Sequence, residues 1–140
     1  MTGQMGGRIF TWPIRVYWED TDAGGIVFYA NYLKFFERAR TEWLRSLGVE
    51  QGQLRESSGG IFVVSETSVR YAAPARLDDE LLVTAELETP GRATLVIAQQ
   101  AFRGAELLCS GTIRIGWVDA ATLRPGRIPQ AILQALQTTT

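Results

Sequence analysis

The chain contains one long helical pattern, and its apolar face is unusually rich in aromatic side chains. Apolar residues recur there at spacings of three and four, which places them on one side of a helix. This face consists of Tyr32, Phe36, Ala39, Trp43 and Leu47, and Phe35 and Leu44 widen it. A single helix with so wide an apolar face needs a large apolar surface to cover it. The rest of the chain must therefore supply that surface.

The residues that flank this pattern fit the two ends of a helix. Asn31 is a residue type that caps helix starts, although the helix could begin one turn earlier. Gly48 follows the last apolar position and is well placed to end the helix in the left-handed conformation. We therefore expect the helix to begin close to Asn31 and to end at Gly48.

The other patterned segments alternate as strands do, and turn residues separate them. The predicted strands cover residues 13–19, 62–71, 80–88, 92–103 and 107–118. Residues 51–60 are expected to be a polar connection, and a short helix is expected from Pro129. Short links between strands imply an antiparallel sheet. We predict an α+β fold in which one curved sheet wraps around one helix, with a flexible tail over residues 1–7 and a single domain over residues 8–140.

Composition excludes several kinds of function. The 140 residues include no histidine and only one cysteine, Cys109, so Ser-His-Asp and Cys-His nucleophile systems and a structural zinc site are not expected. The formal net charge of −1 gives no basic footprint for nucleic acid. No apolar run is long enough to insert into a membrane, the N-terminus does not resemble a signal peptide, and a lone cysteine is typical of the cytoplasm. Any catalysis must depend on carboxylates, hydroxyls, backbone amides and arginine.

One acidic stretch stands out against this background. Residues 18–32 read W-E-D-T-D-A-G-G-I-V-F-Y-A-N-Y, so Glu19, Asp20 and Asp22 lie within four positions. The Gly24-Gly25 pair that follows can adopt positive φ and allow close approach of the backbone. An isolated D-x-D sequence is more often a turn than a catalytic site. The question is whether one of these carboxylates performs chemistry.

The whole motif resembles a known family. Together with L-K-F-F-E-R-A-R-T-E-W-L and V-R-Y-A-A-P-A-R-L-D-D-E-L, it is similar to the sequences of hotdog-fold acyl-CoA thioesterases of the 4-hydroxybenzoyl-CoA thioesterase family, especially the Tol–Pal-associated branch. The resemblance covers almost the whole chain. It implies a five-stranded antiparallel sheet wrapped around one long central helix. It also implies homodimers or homotetramers with active sites between subunits.

The resemblance assigns roles to individual residues. It implies that Asp22 is the catalytic carboxylate and that the thioester carbonyl lies at the start of the long helix, near Tyr29 and the turn at Gly25. The Tol–Pal-associated branch usually has histidine at the position of Tyr29, whereas the hydroxybenzoyl-CoA branch has tyrosine there. Arg92 lies where relatives carry basic residues near the nucleotide, and Arg76 is a second candidate for the phosphates of coenzyme A.

The chemistry of thioester hydrolysis agrees with these residues. A helix start offers unpaired N–H groups and partial positive charge to a developing oxyanion, and an upstream Asp can act as general base or as nucleophile. No cofactor or metal is expected, since coenzyme A is part of the substrate. Glu19 and Asp20 are expected to be structural or solvent-facing, Tyr29 to be either core or pocket wall, and Cys109 to be inert.

The predicted function is hydrolysis of a short-chain or aromatic acyl-CoA, or of an acyl carrier protein thioester. The alternative is a non-catalytic protein that binds acyl thioesters. The intact D-T-D-A-G-G sequence favours the enzyme, because a binding protein does not need that carboxylate. A hotdog dehydratase is disfavoured, since those enzymes use a histidine.

Overall fold

The computed structural model describes residues 4–6 and 9–138. The strands are β1 (Gln4–Gly6), β2 (Ile9–Arg15), β3 (Gly60–Tyr71), β4 (Glu80–Thr89), β5 (Thr94–Arg103) and β6 (Glu106–Asp119). The helices are α1 (Asn31–Ser46), α2 (Gln51–Ser58) and α3 (Gln130–Thr138), and a 3-10 turn covers Trp18–Asp20. No helix in this part of the chain is both long and apolar enough to cross a membrane.

The described strands form one antiparallel sheet in the order β1-β2-β4-β5-β6-β3. The α+β fold and its five-stranded antiparallel sheet are therefore confirmed, and the three-residue strand β1 adds a sixth strand at one edge. The opposite edge is β3, whose twelve residues pair only with β6 within the described chain.

Helix α1 packs its predicted apolar face against the inner side of the sheet. The side chains that it buries are Tyr32, Phe35, Phe36, Ala39, Trp43 and Leu44. From the sheet, the buried side chains include Phe10, Ile14, Leu81, Val83, Leu95, Ile97, Ile113 and Ile115. Because the sheet contributes alternate residues from each strand, one face covers the helix and the other faces outward.

The ends of α1 partly agree with prediction. At the C-terminus, Gly48 has φ +83°, and its N–H donates to Arg45 O at 3.0 Å while Val49 N–H donates to Leu44 O at 2.9 Å. These paired bonds are those of a glycine-terminated helix, as predicted. At the N-terminus, the expected cap is wrong. Ala30 occupies the N-cap position without a side-chain bond, and Asn31 is the first helical residue.

Other elements also differ from the predictions, by one or two residues at the ends of β3 to β6 and by more elsewhere. The first strand covers Ile9–Arg15, because the chain beyond it turns into the 3-10 turn. The polar connection contains α2, which ends at Gly59 with φ +73°. In the predicted flexible tail, Gln4–Gly6 pairs with β2; the tail's remaining residues lie outside the described residues. The helix expected from Pro129 is present as α3.

Candidate active site

The 3-10 turn at the start of the acidic stretch is organised around Asp20. This residue is only 4% exposed, and its Oδ2 accepts a hydrogen bond from Tyr17 N–H at 2.8 Å. Its own N–H donates to Tyr17 O at 3.0 Å. A buried carboxylate that accepts a backbone N–H satisfies an otherwise unpaired donor. Asp20 therefore has the structural role expected from the sequence.

The same residue fixes the start of α1. The carbonyl oxygen of Asp20 accepts both Phe28 N–H at 3.0 Å and Asn31 Nδ2 at 2.8 Å. The Asn31 side chain thus contacts the acidic turn instead of capping its own helix. The two bonds bring the residues that precede the helix back against the residues that precede Asp22. The acidic loop and the helix start are consequently held side by side.

Asp22 lies in the loop between these two points, and its two carboxylate oxygens have different surroundings. Oδ1 accepts hydrogen bonds from Gly24 N–H at 2.9 Å and Ile26 N–H at 3.3 Å. Oδ2 has no hydrogen-bond partner in the described part of the chain, and the residue is exposed. The loop therefore fixes the orientation of the carboxylate through one oxygen and leaves the other free to react.

The glycine pair makes this tight loop possible. Gly25 has φ +78°, and its N–H donates to Asp22 O at 3.0 Å while Asp22 N–H donates to Ile26 O at 2.8 Å. A Cβ at Gly24 would lie 3.3 Å from Asp22 Oδ1, close to the hydrogen bond that orients the carboxylate. The left-handed conformation at Gly25 is one that residues with a side chain rarely adopt.

The helix start supplies free backbone donors. Asn31, Tyr32 and Leu33 donate their N–H groups to carbonyls three residues earlier, in 3-10 fashion. By contrast, the N–H groups of Tyr29 and Ala30 donate to no group in the described residues. Unbonded donors at a helix start favour negative charge. This location is where the sequence predicted an oxyanion to be stabilised.

The loop rests on the chain that leads into β4. Val27 N–H donates to Ala75 O at 2.9 Å, and Leu77 N–H donates to Gly25 O at 3.1 Å. Between them, Ile26 and Arg76 form an isolated antiparallel bridge. The predicted residue Arg76 therefore lies beside the Asp22 loop, and its side chain is exposed with no ion pair among the described residues.

Asp79 stabilises this supporting segment. Its Oδ2 accepts Arg76 N–H at 2.8 Å and Arg103 Nη1 at 2.6 Å. Burial alone would raise the pKa of Asp79, but these bonds and the two arginine charges outweigh it and lower the pKa below its ordinary value. The carboxylate is therefore a fixed part of the scaffold under the loop.

Tyr29 forms part of a pocket wall, one of the two roles considered from the sequence. Its side chain is 62% exposed, and its ring lies 6.0 Å from the ring of Tyr71 at an interplanar angle of 86°. The rings border a surface pocket of about 260 Å³. The pocket is lined by Ile26, Val27, Tyr29, Tyr32, Tyr71, Ala72, Ala73 and Pro74. A mostly apolar pocket thus begins beside the free N–H groups of the helix start.

Arg92 is not brought together with Asp22 within one chain. It lies in the connection between β4 and β5, where its carbonyl accepts Ile128 N–H at 2.8 Å. Asp22 rests against the segment that precedes β4. The ten residues of β4 span roughly 30 Å, so the two residues lie near opposite ends of the sheet. The two residues therefore lie far apart within one chain, and a role for Arg92 near the nucleotide stays a prediction.

Neither Glu19 nor Cys109 has the surroundings of a catalytic group. Glu19 is exposed, and no ion pair involves it in the described residues. Burial raises the pKa of the Cys109 thiol to about 12, so this cysteine is not a thiolate at neutral pH. The described residues contain no cluster of three or more Cys, Asp or Glu side chains that could hold a metal ion.

One buried polar residue that positions α1 was not predicted from the sequence. Gln99 is fully buried in β5, where its Nε2 donates to Phe36 O at 2.9 Å and to Thr84 O at 3.1 Å. Its Oε1 accepts Arg40 Nη1 at 2.8 Å. The strand alternation placed Gln99 on the inner face, which was the available signal that a glutamine there must bond to something in the core.

Known proteins resemble this chain over most of its length. Residues 16–136 match the family described as the thioesterase-like superfamily. The chain is 41% identical over 126 residues to the acyl-CoA thioesterase YbgC of Haemophilus influenzae, covering 90% of this chain and 93% of that protein. It is 42% identical over 131 residues to the acyl-CoA thioester hydrolase YbgC of Escherichia coli O6:H1, covering 92% and 96%.

A solved structure of a similar protein has the same fold as this chain. A probable thioesterase from Bartonella henselae superposes with a TM-score of 0.82 at 30% identity, covering 86% of this chain and 99% of that one. The resemblance to hotdog thioesterases that the acidic motif indicated is thus confirmed by sequence and by fold. This chain belongs to the thioesterase-like superfamily.

Proposed function

We propose that this protein hydrolyses acyl-CoA thioesters and that Asp22 is its catalytic carboxylate. One observation carries the proposal. Asp22 has one oxygen held by two backbone N–H groups and one oxygen free, and the loop that contains it is tied to a helix start with unbonded N–H groups at Tyr29 and Ala30. The carboxylate and the donors are the two groups that thioester hydrolysis requires.

The proposed reaction begins with the thioester carbonyl beside the start of α1. Its oxygen accepts hydrogen bonds from the Tyr29 and Ala30 N–H groups, which stabilise the negative charge that develops there. Asp22 Oδ2 either removes a proton from water or attacks the carbonyl carbon to form a mixed anhydride that water then opens. In both routes a C–O bond forms and the C–S bond breaks. Water supplies the oxygen of the acid product, and the coenzyme A sulfur leaves and is protonated.

The surroundings favour a short or aromatic acyl group. The pocket at Tyr29 and Tyr71 is small and mostly apolar, so it fits a short aliphatic chain or a ring. The exposed Arg76 lies where it could pair with a phosphate of coenzyme A. A carrier-protein thioester presents the same pantetheine arm, and a substrate panel distinguishes the two. The single free cysteine supports a cytoplasmic location.

We further propose that the active form is a homodimer paired through β3. The outer side of this long strand pairs with no other strand in the described part of the chain, and an exposed edge of this kind is rarely left uncovered. Large apolar side chains are also exposed around the Asp22 loop, and a partner would cover them. They include Tyr17, Trp18, Phe28, Tyr29 and Leu33.

Symmetric pairing has a geometric consequence. Two copies of β3 related by a two-fold axis run antiparallel, so the Gly60 end of one lies beside the Tyr71 end of the other. Arg92 lies at the Gly60 end, because the neighbouring Ala93 O accepts Trp117 N–H at 2.9 Å and residues 117–119 pair with the start of β3. The partner's copy of Arg92 would therefore lie at the same end of the paired β3 strands as this chain's Asp22.

The test is hydrolysis of a panel of acyl-CoA and acyl carrier protein thioesters by the wild-type protein and by Asp22→Asn. We expect turnover of at least one short-chain or aromatic acyl-CoA. In Asp22→Asn we expect kcat to fall by about 10²- to 10⁴-fold, the range for loss of a positioned acid or base. Glu19→Gln, which changes an exposed carboxylate three positions away, is the matched control.

Two outcomes would contradict the proposal. Tight binding of acyl-CoA without turnover of any thioester would instead indicate a non-catalytic binding protein. Equal rates for the wild-type protein and Asp22→Asn would show that another group performs the chemistry. Sedimentation at micromolar concentration tests the dimer, and a folded monomer that is fully active would exclude it.

A further inference from the structure

A second pocket, on the inner side of the sheet, lies apart from Asp22. It has a volume of about 320 Å³ and lies between α1 and the first half of β3. Its lining consists of Glu37, Arg40, Thr41, Trp43, Leu44, Gln51, Phe62, Val63, Val64, Ile97 and Ile115. None of these residues lines the pocket at Tyr29. The walls are mainly apolar, and the polar side chains come from α1 and from Gln51 at the start of α2.

Arg40 is the unusual member of this lining. It is half-buried, and the single hydrogen bond of its side chain in the described residues is from Nη1 to Gln99 Oε1. No carboxylate of the described residues lies within 4 Å of the guanidinium, although Glu37 is one helical turn away and exposed. Burial lowers the pKa of Arg40, and the charge of Glu37 offsets only part of this effect. A half-buried guanidinium without an anionic partner is costly unless a ligand supplies one.

Trp43 provides an independent second observation. Its side chain is 2% exposed, and its indole N–H is buried without any hydrogen-bond acceptor in the described residues. Arg40 and Trp43 are three residues apart on α1, which makes them neighbours on one helix face. The pocket lining therefore includes a cation without an anionic partner and a neutral donor without an acceptor, both on one face of α1. Buried donors in proteins are normally satisfied.

We propose that this pocket binds a carboxylate at the far end of the acyl group and so selects acyl-CoA substrates with a carboxylate terminus. Arginine matches a carboxylate through two parallel hydrogen bonds, and the indole N–H can donate to a remaining lone pair. The apolar residues Phe62, Val64 and Ile97 would contact the methylene groups that precede the carboxylate. Glu37, exposed and more than 4 Å from Arg40, leaves the guanidinium without an ion pair.

The pocket would serve the active site of the partner chain. It is lined by residues 62–64, in the first half of β3, whereas Tyr71 at the other end of this strand contacts Tyr29. Antiparallel pairing of two β3 strands therefore places the Arg40 pocket of one chain towards the Tyr29 site of the other. This inference rests on the proposed thioesterase function and on the proposed dimer.

The test compares glutaryl-CoA with valeryl-CoA, two five-carbon acyl groups that differ in the terminal carboxylate. We expect wild-type kcat/KM to be higher for glutaryl-CoA by about tenfold or more. In Arg40→Met this preference should fall by about tenfold or more, mainly through KM. Arg38→Met is the matched control, because Arg38 is exposed and packs over the Phe35 ring at 5.8 Å, outside the pocket lining.

Arg40→Met also loses the hydrogen bond to Gln99, which positions α1. A second variant therefore tests the pocket without removing that bond. Trp43→Phe keeps an aromatic ring at this position but removes the unpaired N–H donor together with part of the indole, and it should reduce the preference about two- to fivefold. Calorimetric titration of the wild-type protein with free glutarate should show saturable binding. The Arg40→Met substitution should weaken this binding.

The outcomes separate this inference from the proposed function. Hydrolysis of valeryl-CoA without a preference for glutaryl-CoA, or a preference that Arg40→Met and Trp43→Phe leave unchanged, overturns the carboxylate pocket alone. Absence of hydrolysis for both substrates, with glutarate binding that depends on Arg40, supports the pocket and overturns the thioesterase proposal. Absence of both glutarate binding and a substrate preference overturns the pocket.

Discussion

The 3-10 turn and the loop that follows it each contain an aspartate, and the two residues are only two positions apart. Asp20 is buried, and its carboxylate and carbonyl oxygens accept hydrogen bonds from the turn and from the start of α1. Asp22 is exposed, and one of its oxygens is free. The difference shows how a fold can assign one carboxylate to structure and leave its neighbour available for chemistry. Burial and hydrogen bonds, not residue type, distinguish them.

Among the variants that test this difference, Asp20→Ala should cause the largest loss of stability. The substitution leaves the Tyr17 N–H without its acceptor and empties a buried position, so we expect about 1–3 kcal/mol less free energy of unfolding. Chemical denaturation measures the change. Glu19→Ala, at the exposed neighbouring position, is the control and should remain within about 0.5 kcal/mol of the wild-type protein. Equal stability of Asp20→Ala and the wild type would mean that Asp20 is not structural.

A smaller effect should come from the segment under the loop. The pKa of Asp79 is lowered in the folded state, so its contribution to stability is present above its unfolded pKa and is lost as the pH falls through its folded pKa. Arg103→Met removes one of the groups that lower this pKa. We expect its acid unfolding midpoint to lie at higher pH than that of the wild type. An unchanged midpoint, measured by circular dichroism against pH, would contradict the ion pair.

The smallest effect should come from Tyr29→Phe. If the backbone N–H of Tyr29 stabilises the oxyanion, removal of the phenol oxygen leaves that donor in place. We expect kcat to remain within about threefold of wild type. Steady-state kinetics with the best substrate of the panel measure it. A loss comparable to that of Asp22→Asn would show that the hydroxyl takes part in catalysis.

The sequence was informative wherever local patterns decide structure. The apolar face of α1 was predicted from its spacing, because a helix that packs on a sheet must repeat apolar residues every three or four positions. The left-handed end at Gly48 was predicted because few other residues adopt that conformation. Asp22 was selected by motif and resemblance, and its catalytic role stays a prediction until it is measured.

The failures all involve partners that are distant in sequence or interactions outside the pattern. Asn31 was expected to cap its helix, but its side chain contacts the carbonyl of Asp20, eleven positions earlier. The bond between Arg40 and Gln99 joins residues 59 positions apart. α2 was missed because the helix buries no residue completely and so has little apolar periodicity.

Hydrolysis of one acyl-CoA by Asp22→Asn and Asp20→Asn tests most directly whether Asp22 is catalytic and Asp20 structural. Each rate is normalised to the fraction of folded protein. We expect Asp22→Asn to fold as well as the wild type but to lose about 10²-fold or more in kcat. We expect Asp20→Asn to be less stable, while its folded fraction keeps kcat within about fivefold of wild type. Equal losses in the two variants, or an Asp22→Asn rate close to wild type, would show that Asp22 is not the catalytic carboxylate.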